Sequence, residues 1–507
     1  MAFSFGNLLS ALMLSWTTSI ILVLFVLVLI ITWLHQKPKD FPPGPRGLPI
    51  FGNVFAFEQD DAFADTLMRW GKEYGPVYGV SIGLSNDVVV CGAEMIKTLL
   101  VKKGLDFADK PKLVEADLYN KDRRGIFVSG CTDGWAKQRH FAHTTLRGMG
   151  FGKVALEPII QEEVDDTIKQ FTSYNGQPFD PQGPLATNSS NIICRLIFGH
   201  RFEHNDPEFH QLMNYLRGIM GFRAEGEVMV FPFLQHAYIY KERWQTNHVS
   251  VQNMFKYFGG KIDEHKSRLS NSTASNQEHE VLDFIDAYLM HAVKDPVHFN
   301  DEELKVLLSD LFIAGSDTVS TTLCWAILYL AAYPDIQEEV QAEIQEVIGD
   351  EPVCLSHRGS MPYTEATLME LQRLASVVPI VPHAAFRDSE LGGYHIPKGT
   401  RMWINMWSLF RDPVDWPNPN KCDPHRFLNK DGTKVVHPDS FMPFSAGRRV
   451  CMGEQLAKME LFLFFVSLMQ RFKYVFADPD TTPSFEGVVG LNRQPRPYKV
   501  KAILRNK

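Results

Sequence analysis

The segment from residue 444 to residue 453 constrains the fold of this chain more than any other. It reads Phe-Ser-Ala-Gly-Arg-Arg-Val-Cys-Met-Gly and places Cys451 between two glycines and beside two arginines. An amphipathic stretch at 455–465 follows. The N-terminus of a helix there would favour a thiolate, as would Arg448 and Arg449. Because the glycines let backbone approach a flat, bulky group, the segment predicts a tight loop that presents a thiolate to a metal cofactor. A buried, inert cysteine is the alternative.

The whole segment also matches a family pattern. Every fixed position of Phe-x-x-Gly-x-Arg-x-Cys-x-Gly is present, at Phe444, Gly447, Arg449, Cys451 and Gly453. In this respect the segment resembles the haem-binding loop of the cytochrome P450 family. The resemblance implies that the cofactor is haem b, iron protoporphyrin IX, with Cys451 as the axial thiolate ligand of its iron. It also implies that Phe444, Arg449 and Gly453 contact the haem.

Size and composition exclude several other classes of protein. The chain has 507 residues and a net charge of −8, enough for one large domain or two to three ordinary ones. No basic stretch dominates, which argues against nucleic acid as a partner. The seven dispersed cysteines contain no C-x-x-C, which argues against structural zinc and covalent haem attachment. No convincing dinucleotide-binding glycine motif is present, so electrons for any oxygen chemistry must come from another protein.

The N-terminus predicts a membrane anchor. Residues 1–34 contain no charged side chain, and the apolar run at 11–34 is long enough to span a bilayer. We interpret it as an uncleaved signal-anchor; a cleaved signal peptide, with a basic start and a shorter apolar core, is the alternative. Lys37 and Lys39 follow the run, which places the large domain in the cytosol. The resemblance to microsomal P450 enzymes implies a single-pass anchor in the endoplasmic reticulum membrane. The predicted divisions are an anchor at 1–35, a proline-rich hinge at 36–50 and a haem-thiolate monooxygenase domain at 51–507.

The main domain is predicted to be mainly α with small β-sheets (α+β), and the resemblance implies the P450 fold preceded by one transmembrane helix. Helical patterns dominate from Asp61 onward. The polar stretch at 267–280 is predicted to be a connection between helices. The clearest helices are predicted at 301–332, 337–348 and 363–376, and the clearest strands at 77–82, 88–91 and 401–404.

The longest predicted helix contains Ala314-Gly315-Ser316-Asp317-Thr318. Gly315 weakens a helix, so that a local opening there is one interpretation and a glycine for close packing is the other. The segment resembles the oxygen-activating A-G-x-D-T motif of P450 enzymes. By that resemblance Ala314 lies against the haem, Thr318 hydrogen-bonds the oxygen that is being activated, and Asp317 helps to relay protons to it.

The haem propionates need cationic or hydrogen-bonding partners. The resemblance assigns this role to Trp135 and Arg139 of a W-x-x-x-R pattern, to His383, and to Lys110, which stands where the family often has arginine. Arg449 of the cysteine loop joins them.

A second set of charges is expected to be structural. Glu370 and Arg373 resemble the E-x-x-R pair of the family, which is joined by an arginine from a later loop, here Arg426. His425 replaces the usual glutamate of that loop. We expect this triad to secure the region under the haem and assign it no catalytic role.

The order of these motifs and further matches near residue 191 resemble the animal microsomal, family-2-like group. The implied function is a monooxygenase that hydroxylates or epoxidises a lipophilic small molecule, a fatty acid, steroid, terpenoid or xenobiotic, with O₂. Electrons would come from an NADPH-dependent flavoprotein reductase, with cytochrome b5 as a further candidate donor. A reductase-independent haem-thiolate isomerase or dehydratase of peroxides and a non-catalytic haem-binding sensor are the alternatives.

Two surfaces complete these expectations. A basic docking face is predicted at Lys137, Arg139, His140, Arg147, Lys153, Arg448 and Lys458. The substrate pocket is expected at Leu308, Phe312, Ala314, Val378, Val381 and Leu491, under a roof at 212–233.

Overall fold

The computed structural model describes residues 16–30, 37–57, 61–222, 226–274, 281–478, 480 and 483–505. Its α-helices are α1 Trp16–Ile30, α2 Asp61–Tyr74, α3 Ala93–Lys97, α4 Val114–Asn120, α5 Asp133–Gly148, α6 Glu157–Ser173, α7 Gln182–Phe198, α8 Pro207–Met220, α9 Gly226–Val230, α10 Tyr238–Ala274, α11 Phe284–Ala292, α12 Asp301–Ala332, α13 Pro334–Val347, α14 Pro362–Ala375, α15 Met406–Leu409 and α16 Glu454–Arg471. Its strands are β1 Val77–Ile82, β2 Ser85–Val90, β3 Ile380–Ala384, β4 Ser389–Leu391, β5 Tyr394–Ile396, β6 Arg401–Asn405, β7 Phe472–Phe476, β8 Gly487–Val489, β9 Arg493–Pro495 and β10 Val500–Leu504.

The sheets are small, which confirms the predicted fold class. One sheet has four strands in the order β1-β2-β6-β3, with β2 and β6 parallel and the other pairs antiparallel. The remaining sheets are the two-stranded pairs β10-β7, β4-β5 and β8-β9. Strand β2 begins three residues before the predicted strand because the carboxylate of Asp87 is buried by partners that only the folded sheet supplies. Arg401 Nε donates to it at 2.8 Å and Trp403 Nε1 at 2.8 Å.

Helix α12 is the central element of the fold and has the predicted bounds. The Asn300 side chain caps its start by accepting from the backbone N–H of Glu303, and three acidic residues in its first turn complement the helix dipole. Within the described part of the chain it is the one helix long and apolar enough to cross a membrane. Most of that apolar stretch is buried inside the protein, so it is a core helix.

The N-terminal prediction is only partly covered by the described residues. Helix α1 is apolar and exposed but shorter than a full span, and residues 11–15 and 31–34 of the predicted run lie outside the described residues. The described part of the predicted hinge runs along the four-stranded sheet. There Gly79 N donates to Pro43 O at 2.8 Å, and Gly44 packs directly on the backbone of Gly79.

Two helix predictions are shifted and one connection is wrong. Helices α13 and α14 each begin with a proline at the first helical position, where a missing N–H costs nothing, so each begins before its predicted start. The predicted connection at 267–280 is helical as far as residue 274, and residues 275–280 lie outside the described residues. Arg268 on this last part of α10 pairs with Asp286 of α11 at 2.6 Å, a tertiary contact that the polar sequence does not reveal.

Candidate functional site

The cysteine loop has the tight geometry that the sequence predicts. The backbone N–H of Cys451 donates to Phe444 O at 2.9 Å, which closes the loop. Gly447 begins a short 3₁₀ turn with a φ of +72°, and a side chain there would overlap the carbonyl of Leu100. Helix α16 begins at Glu454, directly after the loop.

Cys451 lies at the end of the cysteine loop, three residues before helix α16 begins. The residue is exposed, yet surrounding protein is dense enough that burial raises the pKa of the thiol. A hydrogen bond from Gly453 N and the charge of Arg139 lower that pKa. The expectation that Arg448 and Arg449 would favour the thiolate is therefore wrong, and Arg139 is the cation that does so. Its Nη2 also donates to Val450 O at 2.5 Å.

The guanidinium of Arg449 is used to hold neighbouring backbone. Its nitrogens donate to Ala108 O at 2.8 Å, Ile126 O at 3.2 Å and Ser129 O at 2.7 Å. The same guanidinium lies 3.8 Å from the ring centre of Trp135 on α5. Arg449 thereby fixes the cysteine loop against two other segments of the chain.

Three of the predicted propionate partners gather next to this guanidinium. Lys110 is partly buried and donates to Pro382 O at 3.1 Å, and burial together with the charge of Arg449 lowers the pKa of its amine to about 7. His383 Nδ1 bonds Phe107 O at 2.9 Å. The Nε2 of His383 and the Nε1 of Trp135 are both buried without a hydrogen-bond partner.

This cluster fits an anionic group. Unpartnered buried nitrogens are costly, and a lysine whose pKa is lowered by another cation gains from any added negative charge. Two carboxylates placed here would accept from Trp135, would be paired by Lys110, and would favour protonation of His383 at Nε2. The propionates of a haem are such a pair.

The segment around Thr318 presents one face of α12 to open space. Ala314 and Thr318 retain accessible surface, and the Thr318 hydroxyl donates to Ala314 O at 3.0 Å. The helix is not interrupted there, so the predicted local opening is not observed. Gly315 is instead a packing glycine, because a side chain at this position would meet Ile193 of α7 at 3.1 Å.

The carboxylate of Asp317, the next residue before Thr318, is held by a segment near the C-terminus. It is buried, and its Oδ2 accepts from Asn492 Nδ2, from Gln494 Nε2 at 3.1 Å and from Thr321 Oγ1 at 3.4 Å. Burial raises the pKa of its carboxyl, and these three hydrogen bonds oppose the rise. Asn492 and Gln494 were not foreseen, because no local pattern links them to a helix more than 170 residues earlier in the chain.

Comparison with known proteins identifies this arrangement. A family model described as Cytochrome P450 matches residues 42–502. The chain belongs to the cytochrome P450 family. It is 36% identical to Cytochrome P450 2J2 of Homo sapiens over 485 residues, covering 92% of each chain. It is 35% identical to Cytochrome P450 2U1 of Rattus norvegicus over 516 residues, covering 96% of this chain and 95% of that one. It is 36% identical to Cytochrome P450 2J5 of Mus musculus over 503 residues, covering 96% of both.

Membership of the P450 family establishes the reaction class. The protein is a haem-thiolate monooxygenase that uses O₂, a substrate and electrons from a redox partner. The resemblance to family-2 P450 enzymes is likewise confirmed by these relatives.

The predicted structural triad of this P450 is present and buried. Arg373 donates to Glu370 through Nε at 2.6 Å and Nη2 at 2.8 Å, and Arg426 Nε approaches the same carboxylate at 3.4 Å. Arg373 Nη1 also donates to Phe410 O at 2.7 Å. The triad joins α14 to the segment that leads into the cysteine loop, as expected.

The predicted pocket lining of the P450 needs one correction. Leu308 and Phe312 are completely buried in the core, and the ring of Phe312 packs against Phe258 at 6.0 Å. Neither can line an open pocket. Ile313 is partly accessible beside Ala314 and lies on the open face of α12 instead. Successive side chains of an α-helix point about 100° apart around the helix axis. Neighbouring residues can therefore differ in whether they face the core or a cavity.

Proposed function

We propose that this P450 is a membrane-anchored enzyme of the endoplasmic reticulum that hydroxylates or epoxidises a lipophilic small molecule, with Cys451 as the axial ligand of haem iron. The overall reaction is R–H + O₂ + two electrons + two protons → R–OH + H₂O. One observation carries the assignment: the exposed Cys451 lies in a loop that Arg139 and Arg449 connect to a cluster of donors, in which Trp135 Nε1 and His383 Nε2 are buried without a hydrogen-bond partner.

When bound, a thiolate-ligated haem supplies the O–O cleavage chemistry, since the thiolate pushes electron density toward oxygen. The chain holds and orients it. Cys451 provides the thiolate, and Gly453 N donates a hydrogen bond to its sulfur. The propionates would be held by Trp135, Arg139, Lys110, His383 and Arg449, and Phe444, Gly453 and Ala314 would contact the macrocycle.

Thr318 and Asp317 supply protons. The Thr318 hydroxyl lies on the accessible face of α12 and is oriented by its bond to Ala314 O. Its Oγ1 would hold a proton for the oxygen that is being activated. Asp317, one residue away, is buried, and burial raises the pKa of its carboxyl, which favours its holding a proton for transfer.

The substrate side is apolar. Ile313, Ala314, Val378, Val381 and Leu491 retain accessible surface. The predicted roof at 212–233 contains the end of α8 and the whole of α9; residues 223–225, between the two helices, lie outside the described residues. A lipophilic molecule fits such a lining because apolar pockets bind chiefly by excluding water.

A group of exposed aromatic side chains supports membrane anchoring. Phe51, which follows the proline-rich stretch, packs against Phe55 at 5.0 Å and Phe231 at 5.5 Å, and Phe231 packs against Phe233 at 5.9 Å. Phe233 is 67% exposed, and Tyr238 of the following helix is 94% exposed. A patch of this kind is suited to a lipid surface, in addition to α1.

A group of exposed basic residues, on α5, after α5 and in the cysteine loop, supports an acidic electron donor. His140, Arg147, Lys153 and Arg448 are exposed and form no ion pair among the described residues. Lys137 of the predicted face is instead paired with Asp295 at 3.2 Å. Unpaired surface cations next to the cysteine loop would steer an acidic NADPH-dependent flavoprotein, or cytochrome b5, toward the haem edge.

The test is a carbon monoxide difference spectrum of the dithionite-reduced holoprotein, for wild type, Cys451→Ser and Cys354→Ser. Cys354 is the matched control because it is also partly accessible and lies in a different turn, 3.0 Å from Ser356 Oγ. We expect a strongly red-shifted Soret band in wild type and Cys354→Ser only. The same band in Cys451→Ser would refute the assignment of the ligand.

Turnover is tested separately with an NADPH-driven flavoprotein reductase. The panel contains one compound of each class: lauric acid, testosterone, limonene and 7-ethoxycoumarin. We expect NADPH-dependent oxygenated product from at least one. Product formed from peroxides without NADPH, and none with it, would favour the isomerase or dehydratase alternative. No product under either condition would favour the sensor.

A further inference from the structure

The hairpin formed by β8 and β9 meets α12 at Asp317. Its turn, residues 490–492, is held in place from two sides. A side chain at Gly490 would overlap Met220 O at the end of α8, so the turn lies directly on that helix end. On the other side Trp325 of α12 donates through Nε1 to Arg493 O at 3.0 Å, and Arg493 N donates to Val377 O at 2.7 Å.

These contacts place two amides on one carboxylate. Asn492 is buried and donates through Nδ2 to Asp317 Oδ2, and Gln494 donates through Nε2 to the same oxygen at 3.1 Å. The Gln494 amide is oriented by Gln182, whose Nε2 donates to Gln494 Oε1 at 3.3 Å, so that the donor side faces Asp317. Asn492 Nδ2 also contacts Thr321 Oγ1 at 3.3 Å, while its Oδ1 is buried without a partner.

The hydrogen bond from Asn492 is strengthened by the charge of Asp317. An amide N–H donates to an ionised carboxylate in a charge-assisted bond, which is stronger than the bond to a protonated carboxyl. In this orientation Oδ1 of Asn492 has no hydrogen-bond partner, which is unfavourable in free energy for a buried atom. The amides of Asn492 and Gln494 are neutral, and their hydrogen bonds stabilise ionised Asp317. A cation in their place would hold the carboxylate ionised and oppose its reprotonation.

We propose that Asn492 is a positioning residue of this monooxygenase: it holds the Asp317 carboxylate in the orientation from which protons are delivered to Thr318. Gln494 assists it. The inference rests on the proposed role of Asp317. Its consequence concerns how the two electrons are used. With timely protons the products are R–OH and water; when delivery fails, O₂ + two electrons + two protons → H₂O₂, and no substrate is oxidised.

The experiment measures hydrogen peroxide released per NADPH oxidised by the reconstituted holoenzyme with an NADPH-driven flavoprotein reductase. This ratio is defined whether or not product forms. The variants are Asn492→Leu, Gln494→Leu, Asp317→Asn and the double variant Asp317→Asn/Asn492→Leu. Glu486→Gln is the control, since Glu486 belongs to the same hairpin region and forms an exposed pair with Arg496 at 3.2 Å.

We expect Asn492→Leu to raise the peroxide ratio several-fold and Gln494→Leu to raise it less, with Glu486→Gln unchanged. The double variant should release no more peroxide than Asp317→Asn alone, because Asn492 acts through Asp317. Turnover of the best panel compound driven by cumene hydroperoxide (R–H + R′OOH → R–OH + R′OH) should be retained in Asn492→Leu, since a peroxide brings its own protons. A merely structural defect would lower both routes.

The outcomes distinguish a failure of the role of Asn492 from a failure of the proposed role of Asp317. If Asp317→Asn raises the peroxide ratio and both hairpin variants match wild type, Asn492 is not a positioning residue and the role of Asp317 stands. If Asp317→Asn itself matches wild type, the proposed proton relay fails, and this inference fails with it. Additive effects in the double variant would also overturn the inference. Gln494→Leu decides the question if Asn492→Leu does not accumulate as holoprotein.

Discussion

Replacement of Asp310 by asparagine tests how a buried carboxylate of α12 is linked to stability. Asp310 Oδ1 accepts from the Tyr119 hydroxyl at 2.8 Å, and Oδ2 accepts from Ile126 N at 2.8 Å and Phe127 N at 3.0 Å. It thereby fastens the segment after α4 to the core helix. Burial raises the pKa of its carboxyl from the ordinary 3.8 to about 6, against these hydrogen bonds and with a small contribution from the charge of Glu303.

The sign of the effect follows from proton binding. Between pH 3.8 and about 6 the folded protein holds more protons at this site than the unfolded chain, so stability falls as pH rises. The stabilisation that Asp310 contributes to the folded protein is fully present below the pKa of the unfolded chain and is lost above the pKa of the folded protein. Its total is ~3 kcal/mol, of which about 1.4 kcal/mol falls between roughly pH 5 and 7.5.

Asparagine does not titrate, yet its Oδ1 can accept from both amides while its Nδ2 donates to Tyr119. The difference in unfolding free energy between wild type and Asp310→Asn should therefore move by about 1.4 kcal/mol in favour of the variant over that pH range. The measurement is urea unfolding of holoprotein followed by tryptophan fluorescence at several pH values and constant ionic strength. A difference that does not vary with pH would refute the reasoning.

Asp310→Ala is the companion variant. It leaves two amides and one hydroxyl without an acceptor, so we expect a loss of about 2–4 kcal/mol at every pH. A loss confined to high pH would show that the hydrogen bonds are remade by water and that the charge alone matters.

Three further predictions concern the frame around the site. Arg373→Leu leaves the buried Glu370 carboxylate with Arg426 Nε, at 3.4 Å, as its remaining cation, and should cost about 3 kcal/mol in chemical unfolding; a cost under about 1 kcal/mol, as for an exposed pair, would contradict this. Burial lowers the pKa of His265, but the hydrogen bond and charge of Asp283 raise it overall. This pKa shift stabilises the folded protein at acid pH, and the stabilisation is lost as pH rises through the folded pKa. His265→Gln should remove it, so the thermal midpoints of wild type and variant should differ at acid pH and converge as pH rises. Gly447→Ala combines a positive φ with overlap of a neighbouring carbonyl and should prevent haem-loaded protein from accumulating; a normal carbon monoxide spectrum would show that the loop can move aside.

The fold and the cysteine loop were predictable because their signals are local. The turn glycines, the thiol and the start of α16 lie within about ten residues, so the chain conformation there is decided by backbone freedom and helix capping. The bounds of α12 follow from its cap and from the proline after Tyr333 in the same way. Errors occur at 267–274, where a polar sequence is made helical by pairing with α11, and at β2, where Asp87 is buried by the sheet.

The site was predictable in its members but not in their arrangement. The motifs identify Cys451, Thr318 and the candidate propionate partners, and the structure gathers Trp135, Lys110 and His383 in one buried cluster. Sequence alone assigned the stabilisation of the thiolate to the wrong arginines, because charge proximity along the chain does not give side-chain direction. It could not show that Arg139, on α5, is the cation that reaches the loop.

By itself the sequence determined the reaction class, the cysteine, the long core helix and the apolar N-terminus, since each is written in contiguous residues whose chemistry acts over short range. The tertiary structure alone decided three matters: Gly315 packs rather than opens the helix, Ile313 rather than Phe312 faces open space, and the Asp317 carboxylate is held by a hairpin near the C-terminus. In each case the deciding partner is remote in sequence. Contact between remote surfaces is fixed only when the whole core is packed, and no local pattern encodes it.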